Sequence, residues 1–122
     1  MQVNPYLSFN GQCEEAFKLY ERVLGGQPGN IFRYTGTSLA HQVPADWQDK
    51  VMHGSVTVGG QELMGADVAP DRYEPPKGFS LSINIKDAAE AERIFRELSH
   101  AGSMVMPLEK TFWAERFGMV ID

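Results

Sequence analysis

The sequence predicts an α+β fold made of two βαβββ-type units side by side, the second lacking its last strand. Three observations carry this. A short aromatic strand near the N-terminus runs into an amphipathic helix, the same pairing returns in the second half, and a Gly-Gly turn joins two strand-like segments between them. The whole chain, residues 1–122, is expected to form one domain, with a first unit over about 5–68, a link over 69–78 and a second, partial unit over 79–122.

Residues 5–10 (PYLSFN) are short, aromatic and bounded by Pro5 and Gly11, which reads as a strand with punctuated ends. From Cys13 to Leu24 the period changes, with Ala16, Phe17, Tyr20, Val23 and Leu24 at helical spacing and Gly25-Gly26 as a left-handed stop. Residues 30–35 (NIFRYT) read as a strand. Residues 51–58 and 61–67 flank Gly59-Gly60, a dipeptide that tolerates positive φ at both turn positions, so a β-hairpin closes the first half. The stretch 69–78 (APDRYEPPKG) holds three prolines that a central strand excludes. In 79–85 (FSLSINI) Phe79, Leu81, Ile83 and Ile85 alternate with Ser80, Ser82 and Asn84, predicting a strand. Asp87 and Glu90 have capping-box spacing, and Ala88, Ala91, Phe95 and Leu98 form the apolar stripe of a helix ending before Gly102.

The halves match: Ala16, Leu19, Tyr20 and Val23 fall on Ala91, Ile94, Phe95 and Leu98, each 75 positions further on. Residues 103–122 hold material for two strands, roughly SMVMPLEKTF and ERFGMVI, and none for a further one.

Composition narrows the partners. At 43% hydrophobic and 22% charged the chain has an ordinary globular balance, and a domain this size buries roughly two thirds of its unfolded surface without disulfide or metal. Its net charge of -5, with basic residues scattered, argues against nucleic acid and anionic membranes. The opening MQVNPYLSFNG has neither the basic flank nor the apolar stretch of a signal peptide, and no run reaches the roughly 20 apolar residues of a membrane span. With Cys13 as the sole cysteine, a reducing cytoplasm is expected.

Three stretches carry a resemblance. YLSFNGQCEEAFKLYERVLGG does so through Tyr6, Gly11, Cys13, Ala16, Tyr20, Leu24 and Gly25; HGSVTVGGQELMGAD through His53, Gly60, Met64 and Asp67; TFWAERFGMVID through Thr111, Phe112, Trp113, Phe117, Gly118 and Asp122. Together with the duplicated unit they resemble the PhnB-like (demethylubiquinone methyltransferase-like) branch of the vicinal oxygen chelate superfamily, which includes glyoxalase I, bleomycin-resistance proteins and extradiol dioxygenases. The resemblance implies sheets curled around a cleft and a homodimer. In that branch a residue matching Asp122 is followed by Phe-Gly, a Trp and a last strand, which in metal-dependent relatives carries a glutamate ligand; this sequence stops at Asp122.

Metal catalysis in that superfamily needs about three His or Glu side chains converging from separate strands. The strands that precede the two helices offer Tyr6, Ser8, Ser80, Ser82 and Asn84, none a good divalent-metal ligand, so no cofactor is expected and a divalent metal is the minority reading. His53 is the best single candidate for a ligand contact, weighed against a half-buried histidine bonded to a neighbour, which is favoured. Asp67 reads either as a ligand-binding carboxylate or as a turn cap. Trp113, Phe112 and Phe117 offer an aromatic wall, against plain core or dimer contact, and Tyr6 completes the candidate set. His41 lies in a long segment that could cover the cleft mouth, surface decoration being favoured; His100 is explained by the helix dipole. Cys13 stands at a helix N-terminus, where the dipole lowers a thiol pKa, but has no nearby base.

The leading functional expectation is a small-molecule-binding or sequestering protein that uses an aromatic cleft without metal. The alternative is a metal-dependent lyase, isomerase or dioxygenase completed by a C-terminal strand. Methyl transfer is disfavoured, because Gly25-Gly26 follows a helix and no glycine-rich strand-to-helix turn exists to hold a nucleoside cofactor.

Overall fold

The computed structural model describes residues 1–75, 77–101, 103–109 and 117–121, with side chains through residue 100. They fall into two compact units, Met1–Phe79 and Ser80–Asp122.

In the first unit, β1 (Tyr6–Phe9) leads into α1 (Cys13–Leu24), followed by β2 (Gln27–Arg33), two short 3-10 turns (Ala40–Gln42 and Ala45–Trp47), β3 (Val51–Val58) and β4 (Gln61–Asp67). The sheet order is β1-β4-β3-β2. β1 joins parallel to β4, Tyr6 opposite Met64, while β4, β3 and β2 form an antiparallel meander. The β3–β4 hairpin turns at Gly59 and Gly60, both at positive φ (55° and 81°), as the dipeptide predicts.

α1 forms over the predicted span. Glu14 and Glu15 in its first turn and Arg22 in its last complement the helix dipole, and Gly25 at φ 68° ends it. Its stripe of Cys13, Phe17, Tyr20 and Val23 is buried. Cys13, Phe17 and Tyr20 form the core with Val51, Val56 and Leu63, with Leu7 and Phe9 packed alongside. Phe9 meets Phe17 edge-on at 5.8 Å, the arrangement aromatic quadrupoles favour. Gly65 on β4 lies under this contact: a Cβ there would stand 2.9 Å from both Phe17 Cζ and the Leu7 carbonyl.

β2 begins at Gln27, three residues before the expected start. Pro28 is tolerated because β2 is an edge strand, where a missing N–H breaks no inner ladder. The long segment after β2 is anchored. Tyr34 N–H donates to the Lys50 carbonyl (3.2 Å) and Thr35 N–H to that of Gln48 (2.9 Å). Val43 is buried in a second small cluster with Tyr34 and Ala69, against which Trp47 and Met52 pack.

The second unit contains α2 (Ala88–Ala101), β5 (Ser103–Glu109) and β6 (Phe117–Ile121), the last two antiparallel, matching the two expected late strands. The 79–85 segment is corrected: it forms no strand, and Phe79, Leu81 and Ile83 are 57, 44 and 47% exposed. Alternation assigns side chains to faces, but a strand also needs a ladder partner, and no described residue pairs with it. The capping box is half realised. Asp87 Oδ1 accepts from Ala89 N–H (3.3 Å), whereas Glu90 turns to Arg93 (2.6 Å) rather than back to the chain.

Candidate functional site

On the sheet face away from α1, three rings lie in one row across β1, β3 and β2. Tyr6 alternates with the core-facing Leu7, and His53 precedes Gly54, where a Cβ would point at Phe17; Tyr6 and His53 therefore face away from α1. The antiparallel register sets Phe32 opposite His53. Tyr6 and His53 centroids are 5.7 Å apart, tilted 36°, and Phe32 and His53 centroids 6.4 Å apart, tilted 32°. The Tyr6 hydroxyl and His53 Nδ1 form a hydrogen bond of 3.1 Å although they are 47 residues apart in sequence. Tyr6 and Phe32 are each 51% exposed. Burial, and after it the charge of Cys13, pushes the Tyr6 hydroxyl pKa up, so the phenol stays neutral at ordinary pH.

The other candidates fall elsewhere. Asp67 is buried at the end of β4, its Oδ1 accepting from Cys13 N–H and its Oδ2 from Val51 N–H, both at 2.9 Å. Its own carbonyl accepts from the Tyr34 hydroxyl at 2.6 Å. Both carboxylate oxygens thus serve the backbone, and Asp67 stands apart from the ring row. Trp113 and Phe112 lie outside the described residues, and of Phe117 only the backbone, in β6, is described. His41, in the first 3-10 turn, and His100, in the last turn of α2, are exposed.

The dipole-lowered pKa expected at Cys13 is reversed, in keeping with a thiol that is not a nucleophile. The residue is fully buried, and burial, reinforced by the charges of Asp67 and Glu14, pushes the thiol up to about 12. Desolvation outweighs the helix dipole here. Phe32 is the residue that sequence reading missed; its signal is the Phe32–His53 register, which only the folded ladder supplies.

Among the described residues no three His, Cys, Asp or Glu side chains cluster as a ligand set for the divalent metal that the superfamily resemblance implies, and His53, with Nδ1 bonded to Tyr6, offers only Nε2. No helix among the described residues is long and apolar enough to cross a membrane.

Residues 1–121 match the sequence model of a family described as 3-demethylubiquinone-9 3-methyltransferase. Protein YjdN of Escherichia coli (strain K12) is 31% identical over 131 residues, covering 100% of this chain and 88% of YjdN. The crystal structure of protein PA1353 from Pseudomonas aeruginosa is 46% identical with a TM-score of 0.88, covering 100% of this chain and 90% of that one. The PhnB protein from Bacillus cereus, at 24% identity and a TM-score of 0.82 over 98% of this chain and 90% of its own, shares the fold.

Proposed function

The chain belongs to the 3-demethylubiquinone-9 3-methyltransferase, PhnB-like, family of the glyoxalase-like superfamily, and from that premise we propose that it is a small-molecule-binding protein that holds its ligand on an aromatic surface without a catalytic metal. The observation that carries this reading is the Tyr6–His53 hydrogen bond, set between half-exposed rings on one sheet face. Exposed aromatic rings with a few convergent polar groups suit small-molecule recognition.

The methyl transfer in the family's description finds no support at the turn from β1 into α1 among the described residues. The turn from β1 into α1 is Asn10-Gly11-Gln12, and the space beside its one glycine is taken by Lys50 Cε and Trp47, both at 3.6 Å from where a Cβ would stand. Lys50 Nζ also donates to the Gly11 carbonyl at 3.1 Å. A nucleoside cofactor needs backbone open to its phosphate or ribose at such a turn.

The same proposal includes a single glyoxalase-like domain working as a cytoplasmic homodimer. The exposed Phe79, Leu81 and Ile83 support self-association, because a partner strand would give this alternating segment both a ladder and an apolar cover. Light scattering at micromolar concentration is expected to return twice the 13.6 kDa chain mass; the monomer mass would remove the dimer.

The functional test is a ligand-detected NMR screen of small aromatic compounds against the wild type and a Phe32→Ala variant. Hits that lose binding in the variant support the reading. A screen whose hits all bind the variant equally, or which gives no hits, overturns it.

A further inference from the structure

We infer that the Tyr6–His53–Phe32 row recognises an uncharged planar ring that carries both a hydrogen-bond donor and an acceptor, and discriminates against the same ring bearing a charge. This rests on the proposed ligand-binding role of the face and names the chemical class it takes.

The Tyr6–His53 hydrogen bond holds a single proton between the two rings. With neutral groups it has two placements. If Tyr6 O–H donates to Nδ1, the imidazole proton sits on Nε2, and the pair presents an N–H donor and a free phenol oxygen. If Nδ1–H donates to Tyr6, the phenol O–H is the free donor and Nε2 the free acceptor. Either way the pair offers one donor and one acceptor, and moving the proton exchanges their positions. Among the described residues neither side chain has another hydrogen-bond partner. A ligand with one group of each kind satisfies the pair; a ligand with only acceptors leaves one protein group unanswered.

The four strands of the sheet carry few charges. Their sole Lys or Arg is Arg33, whose Nη1 and Nη2 hold both Glu14 carboxylate oxygens (3.2 and 2.8 Å) and whose Nη1 also reaches the Asp49 carbonyl (2.8 Å). Lys50, just before β3, is committed to the Gly11 carbonyl. Of the two strand carboxylates, Asp67 is buried on the backbone and Glu62 stands opposite Thr57, toward the hairpin end and away from His53. Among these strand side chains none places a counter-ion against His53 or Phe32; Glu62 is two residues along β4 from Met64, the partner of Tyr6, and outside the strands the charge of Arg72 acts on the Tyr34 hydroxyl while its Nη2 donates to the Gln42 carbonyl (3.4 Å). The rings of the row lie tilted by 32° and 36° to each other and form a shelf rather than a cage, a shape that stacks a flat ring but does not enclose a cation.

The test is NMR titration of the full chain at pH 7, reading the ring signals of Tyr6, Phe32 and His53. The probes are 3-hydroxyacetophenone (uncharged, donor and acceptor), acetophenone (acceptor only), 3-hydroxybenzoate (anion) and tyramine (cation). 3-Hydroxyacetophenone is expected to move all three rings and to bind about tenfold more tightly than each of the others, the worth of one net hydrogen bond. The double variant Tyr6→Phe/His53→Phe, checked for fold by circular dichroism, is expected to erase that preference while keeping weak ring binding, because either residue alone still carries a donor and an acceptor. If all four probes move the rings with equal affinity, if a charged probe binds more tightly, or if the double variant keeps the preference, this inference is wrong while the ligand-binding function stands. If no probe moves these rings, both fall.

Discussion

Asp67 caps a helix that begins 54 residues before it: its Oδ1 accepts the backbone N–H of Cys13, the first residue of α1, at 2.9 Å. Gln12, the N-cap residue, makes no side-chain cap of its own, so β4 supplies the acceptor that the local sequence lacks. Through Oδ2 and its carbonyl the same residue holds Val51, two residues before His53, and Tyr34, two residues after Phe32. One buried residue therefore ties down α1 and β3 through its carboxylate and the end of β2 through its main-chain carbonyl.

Asp67→Ala is expected to cost about 2–6 kcal/mol, since it strands two buried backbone N–H donors at about 1–3 kcal/mol each. Asp67→Asn is expected to lose less, because its amide oxygen still accepts one donor while its NH2 faces the other. Urea unfolding ranks the three proteins, and equal stability of Asp67→Ala and wild type would contradict the capping role.

The Cys13 thiol is expected to resist thiol reagents in the folded chain. With the pKa near 12 against about 8.5 when unfolded, the thiolate at pH 8 is roughly a thousandfold scarcer. A folded chain that reacted with an aromatic disulfide reagent as fast as the urea-unfolded chain would contradict its burial. The stability consequence has a definite sign. The unfolded thiol ionises first, so the contribution is fully present below about pH 8.5 and is lost as pH rises toward 12, at up to about 1.4 kcal/mol per unit. Cys13→Ala should flatten that alkaline limb.

At the acid end the relevant pair is Glu14 and Arg33. The Arg33 hydrogen bonds hold the Glu14 carboxyl below its ordinary value. Its stability contribution is therefore present above about pH 4.3 and is lost as pH falls through the folded value. Both side chains are about one third exposed, so solvent screening limits the pair to about 1 kcal/mol or less. Glu14→Gln should lower stability at pH 7 by that amount and shift the acid midpoint little; a loss of several kcal/mol would mean that the pair does more than tie α1 to β2.

His53→Gln retains a donor and an acceptor at a partly exposed position, so unfolding stability should stay within about 0.5 kcal/mol of wild type. Chelator should leave the wild-type melting temperature unchanged, as should added Zn, Mn or Ni. A rise on metal addition that His53→Gln abolishes would mark His53 as a metal ligand and promote the enzyme reading.

Much of the fold was legible because its signals are local. The 13–24 stripe, the Gly25 stop and the Gly59-Gly60 hairpin each need only neighbouring residues, and each stands where expected. What escaped depends on distant partners. Pro28 sits within β2 because that strand is at an edge, and 79–85 has strand alternation without a ladder. The site divides the same way. Tyr6 and His53 could be singled out by residue type, but their hydrogen bond and the approach of Phe32 arise from sheet order and register. The sequence neighbours of Asp67 and Cys13 do not decide their roles; the groups that do, two backbone amides and a desolvating core, are assembled from elsewhere in the chain.

The parallel β1–β4 pairing also orders the folding reaction. β2, β3 and β4 form a meander whose contacts are comparatively local, whereas β1 must close a loop of more than fifty residues to set Tyr6 beside Met64. Loop-closure entropy favours the meander as the early nucleus and leaves β1 to join late. Changes in the β3–β4 hairpin should then slow folding, while changes in β1 should mainly speed unfolding, a split that chevron kinetics resolve. The ring row, which needs β1 in place, would complete only after the rest of the sheet has formed.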